Sequence, residues 1–335
     1  MAGRFISRLF GGPGSDDNPI TSIRGANTPW LWRKLIYTTR IAANWCQVLC
    51  RELPTGVFVG IYDGHGGDIC SQFVLNNLFR DLKDVITSQD GFVDPAAFKK
   101  AYEKTERKFF TLARAKWEQK PRLAAVGSCC LSGIVHNRVL YVANAGDSRA
   151  VLARWEDGNE QSMVLQLSRD HNTNNAESRA ELAQEHPNDS ALFDVVNETH
   201  LVRGKTQVTR SLGDFYLKSN EFNRPPLEPG FRLEEPILLP ILKSEPTFET
   251  HQLGPHDRFV IFASDGLWKE LTNEEAVSVV KASARSGAAK ALLEEALARA
   301  SHRNNMDYQQ LIEVPIIDKR NRHDDISIII LFFDN

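Results

Sequence analysis

Three closely spaced strand-like runs constrain the fold of this chain more than any other feature. The runs, rich in apolar and β-branched residues, occupy residues 127–135, 139–144 and 150–153. The connections between them, residues 136–138 and 145–149, are too short to hold a crossover helix. We therefore predict that neighbouring strands in this region pair antiparallel.

Helical patterns lie on both sides of these strands. Apolar side chains over residues 69–82 recur at the spacing of one helix face, and Asp94 followed by Pro95 is typical of a helix N-terminus. Near the C-terminus, Thr272 and Glu275 have the spacing of a capping box. Helices beside antiparallel strands, without alternating strand–helix–strand units, predict an α+β fold.

The composition is that of a folded globular protein, with 42% hydrophobic and 25% charged residues. A formal net charge of −3 gives no basic footprint for nucleic acid, and we expect none as a partner. The five cysteines include an adjacent pair and lack the spacing of a zinc site. We therefore predict free thiols and an intracellular, reducing compartment.

Acidic residues beside turn residues stand at the borders of four apolar strands. They are Asp63, Asp147, Asp265 and the pair Asp324 and Asp325. One Asp-Gly pair is ordinary turn chemistry, but four such borders together favour a shared cleft. Carboxylates gathered in a small volume repel each other unless cations neutralise them, and hard oxygen ligands suit Mg²⁺ or Mn²⁺.

Two neighbours of Asp63 add to this chemistry. Gly64 lets the backbone approach a metal ion closely, so that its carbonyl can serve as a ligand. His65 is a side chain that can protonate a leaving oxygen. The segment around Asp63 is therefore predicted to be the centre of a metal-dependent hydrolytic site.

Residues 58–67, Phe-Val-Gly-Ile-Tyr-Asp-Gly-His-Gly-Gly, resemble the signature of the metal-dependent serine/threonine protein phosphatases of the 2C type. Further blocks resemble those of the family in the family's order, at residues 145–151, 167–171, 208–214, 262–268 and 323–327. Residues 222–246 are similar to an insertion of plant members, which indicates a plant protein that acts in signalling.

The resemblance implies two packed antiparallel β-sheets flanked by helices, a four-layer αββα sandwich. It divides the chain into a basic N-terminal segment, residues 1–54, and a catalytic domain, residues 55–335. The implied enzyme is a protein-serine/threonine phosphatase that hydrolyses phosphoserine and phosphothreonine in proteins by a metal-activated water. Its implied cofactors are two Mg²⁺ or Mn²⁺ ions.

The family's functional residues can be carried over where the blocks match. Asp63 is implied to bridge the two metals and, with His65, to be catalytic. The other implied metal ligands are the Gly64 carbonyl, Asp265, Asp324 and, at a weaker third position, Asp147. Asp214 and Asp325 are implied to orient these ligands and bound waters.

The resemblance stops before residue 55. The family has a Glu-Asp pair on the strand before the Asp-Gly-His block, whereas residues 38–45 contain no acid and Glu52 lies too close to Asp63 for the usual hairpin. Three interpretations stay open: Glu52 or water substitutes, residues 1–54 reflect an alternative gene model, or the chain is a catalytically weakened or inactive phosphatase-like binding module.

The resemblance also suggests partners and a location. Phosphoprotein substrates follow from the activity, and a protein kinase is the second partner class. We expect a monomer in the cytoplasm or nucleus. The short basic and apolar patch between Arg4 and Arg8 suggests weak membrane contact and a membrane-associated pool, with a solvated arm as the alternative.

Overall fold

The computed structural model describes residues 36–41, 45–53, 56–158, 161–314 and 322–333. The strands of this part are β1 (Ile36–Ile41), β2 (Cys46–Leu53), β3 (Gly56–His65), β4 (Gly127–His136), β5 (Val139–Ala145), β6 (Arg149–Arg154), β7 (Met163–Gln166), β8 (Phe193–Val196), β9 (Thr199–Val202), β10 (Leu212–Gly213), β11 (Thr247–Gln252), β12 (Asp257–Ala263) and β13 (Ile326–Phe332). Its helices are α1 (Ile69–Ser88), α2 (Pro95–Ala115), α3 (Ala176–Glu185), α4 (Asp265–Trp268), α5 (Asn273–Ala282), α6 (Ala288–Arg303) and α7 (Tyr308–Glu313).

The strands form two main sheets in which every pairing is antiparallel. The first sheet has the order β1-β13-β12-β6-β7. The second has the order β11-β5-β4-β3-β2, with the short β10 paired to β4. Strands β8 and β9 form a separate hairpin.

Side-chain alternation along β13 shows how the layers are stacked. Ile328 and Ile330 belong to the apolar cluster under α5 and α6, whereas Ile329 and Leu331 belong to the cluster between the two sheets. All residues of β13 are buried, and its sequence is a nearly continuous apolar run. On the far side, α1 and α2 cover the second sheet, and the predicted α+β sandwich is confirmed.

The predicted helix starts are confirmed in the hydrogen bonds of the caps. The Asp94 side chain accepts a bond from the Ala97 amide at 2.7 Å before α2. At α5 the Glu275 amide donates to Thr272 Oγ1 at 3.2 Å, and Glu275 Oε2 accepts from the Thr272 amide at 2.8 Å. These short-range signals fix where the covering helices begin.

The predicted pairing of consecutive strands holds for β4 and β5 but is wrong for β5 and β6. After β5 the chain crosses to the other sheet, where β6 pairs with β12 and β7. The crossing turns at Gly146, whose φ of +132° suits glycine, and a Cβ there would lie 2.4 Å from Cβ of Cys129. A short connection can join two sheets as well as two neighbouring strands.

The predicted domain boundary after residue 54 falls between β2 and β3, which pair along the whole of β2. Strand β1 also joins a sheet, along β13. Residues 1–35, including the basic and apolar patch at Arg4, lie outside the described residues, as do residues 42–44 of the acid-free window. All five cysteines lie in the described ranges, and no disulfide joins any two of them. No helix in the described ranges is long and apolar enough to cross a membrane.

Candidate active site

Asp63 lies at the end of β3, between the two sheets. Val57, Val59 and Ile61 point into the apolar cluster between the sheets, and the period of two places Asp63 on the same face. The side chain is only 7% exposed. The alternation of side chains along β3 therefore places a carboxylate at the edge of the sandwich, next to the apolar core.

Ser264 brings the other two strand ends together. Its hydroxyl donates to the Asp325 carbonyl at 2.7 Å and accepts from the Ser327 amide at 2.9 Å. These bonds tie the end of β12 to the start of β13, and so place Asp265, the first residue of α4, beside Asp324. Two aspartates far apart in the chain thus become neighbours.

Asp147 reaches the same edge from the crossing between the sheets. Cys129 Sγ donates to Asp147 Oδ1 at 3.1 Å, and Cys129 is also the register partner of Asp63 in β4. The connection from β5 to β6, which contradicts the strand-pairing prediction, therefore places this carboxylate at the edge of the sandwich. We call Asp63, Asp147, Asp265 and Asp324 the carboxylate cluster.

The electrostatics of the carboxylate cluster show an excess of negative charge. Burial, and then repulsion by Asp265, Asp324 and Asp147, raises the pKa of Asp63 well above its ordinary value. Burial and repulsion by Asp147 likewise raise the pKa of Asp265 to about 7. Charges that raise each other's pKa in this way favour a bound cation.

One cation of the chain already contacts the cluster. Lys269 Nζ lies 2.6 Å from Asp265 Oδ2 and 2.6 Å from Asp324 Oδ2. Sequence reasoning missed this lysine, although its position four residues after Asp265 is the spacing of a helical ion pair. Its second contact, to Asp324, joins residues that are 55 positions apart and has no local signal.

The donor set of the cluster fits a hard divalent cation, because all its side-chain ligand atoms are carboxylate oxygens. Within the described ranges, no three His, Cys, Asp or Glu side chains are already arranged to hold a metal ion. Gly64 is closely packed, with its amide bonded to the Trp45 carbonyl at 3.1 Å. The metal roles of these residues and of the Gly64 carbonyl stay predictions.

His65 belongs to a different set of contacts. Its Nε2 lies 2.6 Å from Asp214 Oδ2, and the Ser211 hydroxyl donates to the same oxygen at 2.6 Å. The structure thus places Asp214 on the predicted general acid. Asp325, the other residue predicted to orient ligands, accepts a bond from the Trp45 amide at 3.3 Å.

The contacts between His65 and Asp214 favour the ionised form of each residue. Burial lowers the pKa of His65, but the charge and hydrogen bond of Asp214 outweigh burial and raise it. Burial raises the pKa of Asp214, but His65 and Ser211 outweigh it and lower the value. Gly127 is required here, because a Cβ at that position would lie 2.3 Å from His65 Nε2.

Glu106 and Lys218 hold the turn that carries Asp214. Lys218 Nζ lies 2.6 Å from Glu106 Oε1 and donates to the Ser211 carbonyl at 2.7 Å. Glu106 Oε2 accepts from the Gly213 amide at 2.8 Å. Sequence reasoning missed this pair, whose members are 112 positions apart. We call His65, Ser211, Asp214, Glu106 and Lys218 the histidine network.

Comparison with known proteins places the chain in a family. The family model described as Protein phosphatase 2C matches residues 26–305. A probable protein phosphatase 2C of Arabidopsis thaliana, number 46, is 44% identical over 282 residues, which are 84% of this chain and 74% of the relative. Another from that plant, number 67, is 42% identical over 306 residues, which cover 90% of this chain and 82% of the relative.

The fold agrees with solved structures. The crystal structure of serine-threonine phosphatase 2C from Toxoplasma gondii aligns with a TM-score of 0.65 at 15% identity, over 94% of this chain and 98% of that one. A sex determining protein of C. elegans aligns with a TM-score of 0.61 at 18% identity, over 89% of this chain and 64% of that one. The chain therefore belongs to the protein phosphatase 2C family, and the predicted class of enzyme, a protein-serine/threonine phosphatase, is confirmed.

Proposed function

We propose that this chain hydrolyses phosphoserine and phosphothreonine in proteins with Mg²⁺ or Mn²⁺ held by the carboxylate cluster. The observation that carries the proposal is the gathering of buried and partly buried carboxylates from separate segments at one edge of the sandwich. Burial, and then repulsion between the carboxylates, raises the pKa of Asp63 and Asp265. Such an arrangement is costly for the fold unless a cation neutralises it, and a family of protein phosphatases supplies the reaction.

The chemistry that a bound divalent cation supplies is the activation of water and the neutralisation of phosphoryl oxygens. The chain supplies the proton. Asp214 holds His65 at Nε2 and raises its pKa, which favours the protonated ring that a general acid needs. Nδ1 is then the atom from which the proton passes to the leaving serine or threonine oxygen.

The first experiment measures phosphate release from a phosphothreonine peptide with Mn²⁺. We expect release by the native chain, and loss of release with EDTA or in Asp63→Asn. Asp257→Asn is the matched control, because Asp257 is also buried but begins β12 at the end opposite Asp265. Equal rates with and without EDTA, and equal rates for the native chain and Asp63→Asn, would contradict the proposal.

The same experiment tests the weakened or inactive binding module. That alternative predicts that the native chain binds the phosphothreonine peptide without releasing phosphate at any Mn²⁺ concentration. Peptide binding is measured by calorimetry beside the rate. A kinase partner, a monomeric state, contact of the basic N-terminus with membranes and a location in the cytoplasm or nucleus are further proposals from the sequence.

A further inference from the structure

Lys269 occupies a bridging position in the carboxylate cluster. Its ammonium nitrogen lies 2.6 Å from one oxygen of Asp265 and 2.6 Å from one oxygen of Asp324. Both distances are short for charge-assisted hydrogen bonds. The lysine thus joins the end of β12 to the segment before β13 through their carboxylates.

The two partners of Lys269 are the same two carboxylates that the proposed function assigns to a metal ion. A divalent cation and an ammonium group both seek these oxygens, and the two positive charges repel each other. In the described part of the chain, Lys269 forms ion pairs with Asp265 and Asp324 but not with Asp63, and the charges of these two aspartates still raise the pKa of Asp63. The lysine therefore neutralises only part of the cluster.

The lysine side chain can leave this position. It is 50% exposed, whereas Asp265 is 17% and Asp324 is 29% exposed. Its unbranched stem can swing toward solvent, where the ammonium group is well hydrated. The segments that carry the two aspartates, in contrast, are tied together by the Ser264 hydroxyl, which donates to the Asp325 carbonyl and accepts from the Ser327 amide.

We propose that Lys269 is a built-in cation that competes with the divalent metal for Asp265 and Asp324 and so weakens metal binding. The inference rests on the proposed function, because it assumes a metal at the carboxylate cluster. It assigns a regulatory role to a residue outside the ligand set: the metal must displace the lysine, so a higher concentration of Mg²⁺ or Mn²⁺ is needed to fill the site.

Calorimetric titration of the full chain with Mn²⁺ tests the proposal without measuring activity. We expect Lys269→Met to bind Mn²⁺ at least about tenfold more tightly than the native chain, because the competing charge is gone. Lys290→Met is the matched control, because Lys290 also pairs with an acid four residues away, Glu294, but lies on α6. We expect its dissociation constant to equal that of the native chain.

Thermal unfolding gives a second readout. In EDTA, Lys269→Met should melt at a lower temperature than the native chain, because the carboxylates lose their resident cation. Saturating Mn²⁺ should raise the melting temperature of Lys269→Met by more than that of the native chain. Lys269→Gln, which keeps a hydrogen-bond donor without the charge, gives the same comparison if the methionine variant fails to fold.

The outcomes separate the two proposals. If the native chain and Lys269→Met bind Mn²⁺ with equal dissociation constants, or if the variant binds more weakly, Lys269 does not compete and this inference is overturned, while the proposed function stands. If neither protein binds Mn²⁺, the metal site itself is overturned and the inference with it. Tighter binding by Lys269→Met and unchanged binding by Lys290→Met support it.

Discussion

The carboxylate cluster and the histidine network adjoin each other at the end of β3 but differ in how their charges are matched. In the histidine network each buried charge has a partner in the chain, as His65 has Asp214 and Glu106 has Lys218. In the carboxylate cluster the half-exposed Lys269 pairs with Asp265 and Asp324, while Asp63 and Asp147 add further negative charge. The difference teaches that the histidine network matches its buried charges within the chain, whereas the carboxylate cluster keeps an excess of negative charge.

The largest expected effect comes from breaking the cluster. Asp63→Asn should lower phosphate release by at least about 100-fold, because a misplaced ligand costs that much in rate. The same variant should melt at a higher temperature than the native chain in EDTA, because one repelling charge is removed. Release rates and melting curves measure both. A lower melting temperature would show that the cluster is not under electrostatic repulsion.

A substitution in the histidine network should lower stability, whereas Asp63→Asn in the carboxylate cluster should raise it. Asp214→Asn should lower kcat by about 10–100-fold, because His65 loses the partner that orients it. It should also lower the free energy of unfolding by about 1–3 kcal/mol, because a buried hydrogen-bonded charge loses its partner. Urea unfolding and steady-state rates check this. A more stable Asp214→Asn would remove the distinction between the two regions.

Lys218→Met should lower activity by less than Asp214→Asn does, and its main effect should be on the free energy of unfolding. The substitution leaves Glu106 buried without its cation, at a cost of about 3 kcal/mol, while His65 keeps Asp214. The double variant with Glu106→Gln should show a coupling energy of about 0.5–3 kcal/mol in urea unfolding. If the effects of the two substitutions are additive, the interaction between Glu106 and Lys218 contributes nothing to the free energy of unfolding.

The smallest effect at neutral pH concerns a buried group with no charge partner. His171 is fully buried, and burial, together with Arg210 and Arg169, lowers its pKa to about 3. The unfolded chain takes up a proton at this residue below about pH 6.5. The folded chain does not until about pH 3, so stability is lost as the pH falls through that window.

At pH 5 this single site should cost about 2 kcal/mol relative to pH 7. His171→Gln should therefore lose less stability between pH 7 and pH 5 than the native chain in urea unfolding. His302→Gln, an exposed histidine at the end of α6, is the control. An unchanged pH slope in His171→Gln would show that the folded protein protonates His171 readily. Nε2 of His171 has no hydrogen-bond partner among the described residues.

Local sequence patterns predicted the elements that frame the site. The apolar runs at β3, β12 and β13, the caps of α2 and α5, and the aspartates beside those strands all follow from spacing of a few residues. That β5 and β6 lie in different sheets could not be predicted in this way. Connection length does not say whether a short turn stays in one sheet or crosses to a second one.

By itself, the sequence determined which chemistry is available: carboxylates at strand ends, a glycine and a histidine beside the first of them, and the family blocks around them. Only the tertiary structure decided which charges meet. It paired His65 with Asp214 and set Lys269 between Asp265 and Asp324. The physical reason is the distance over which each interaction acts. Propensities and caps act between residues a few positions apart in the sequence. Coulomb interactions depend on distances in space, and packing alone creates those distances.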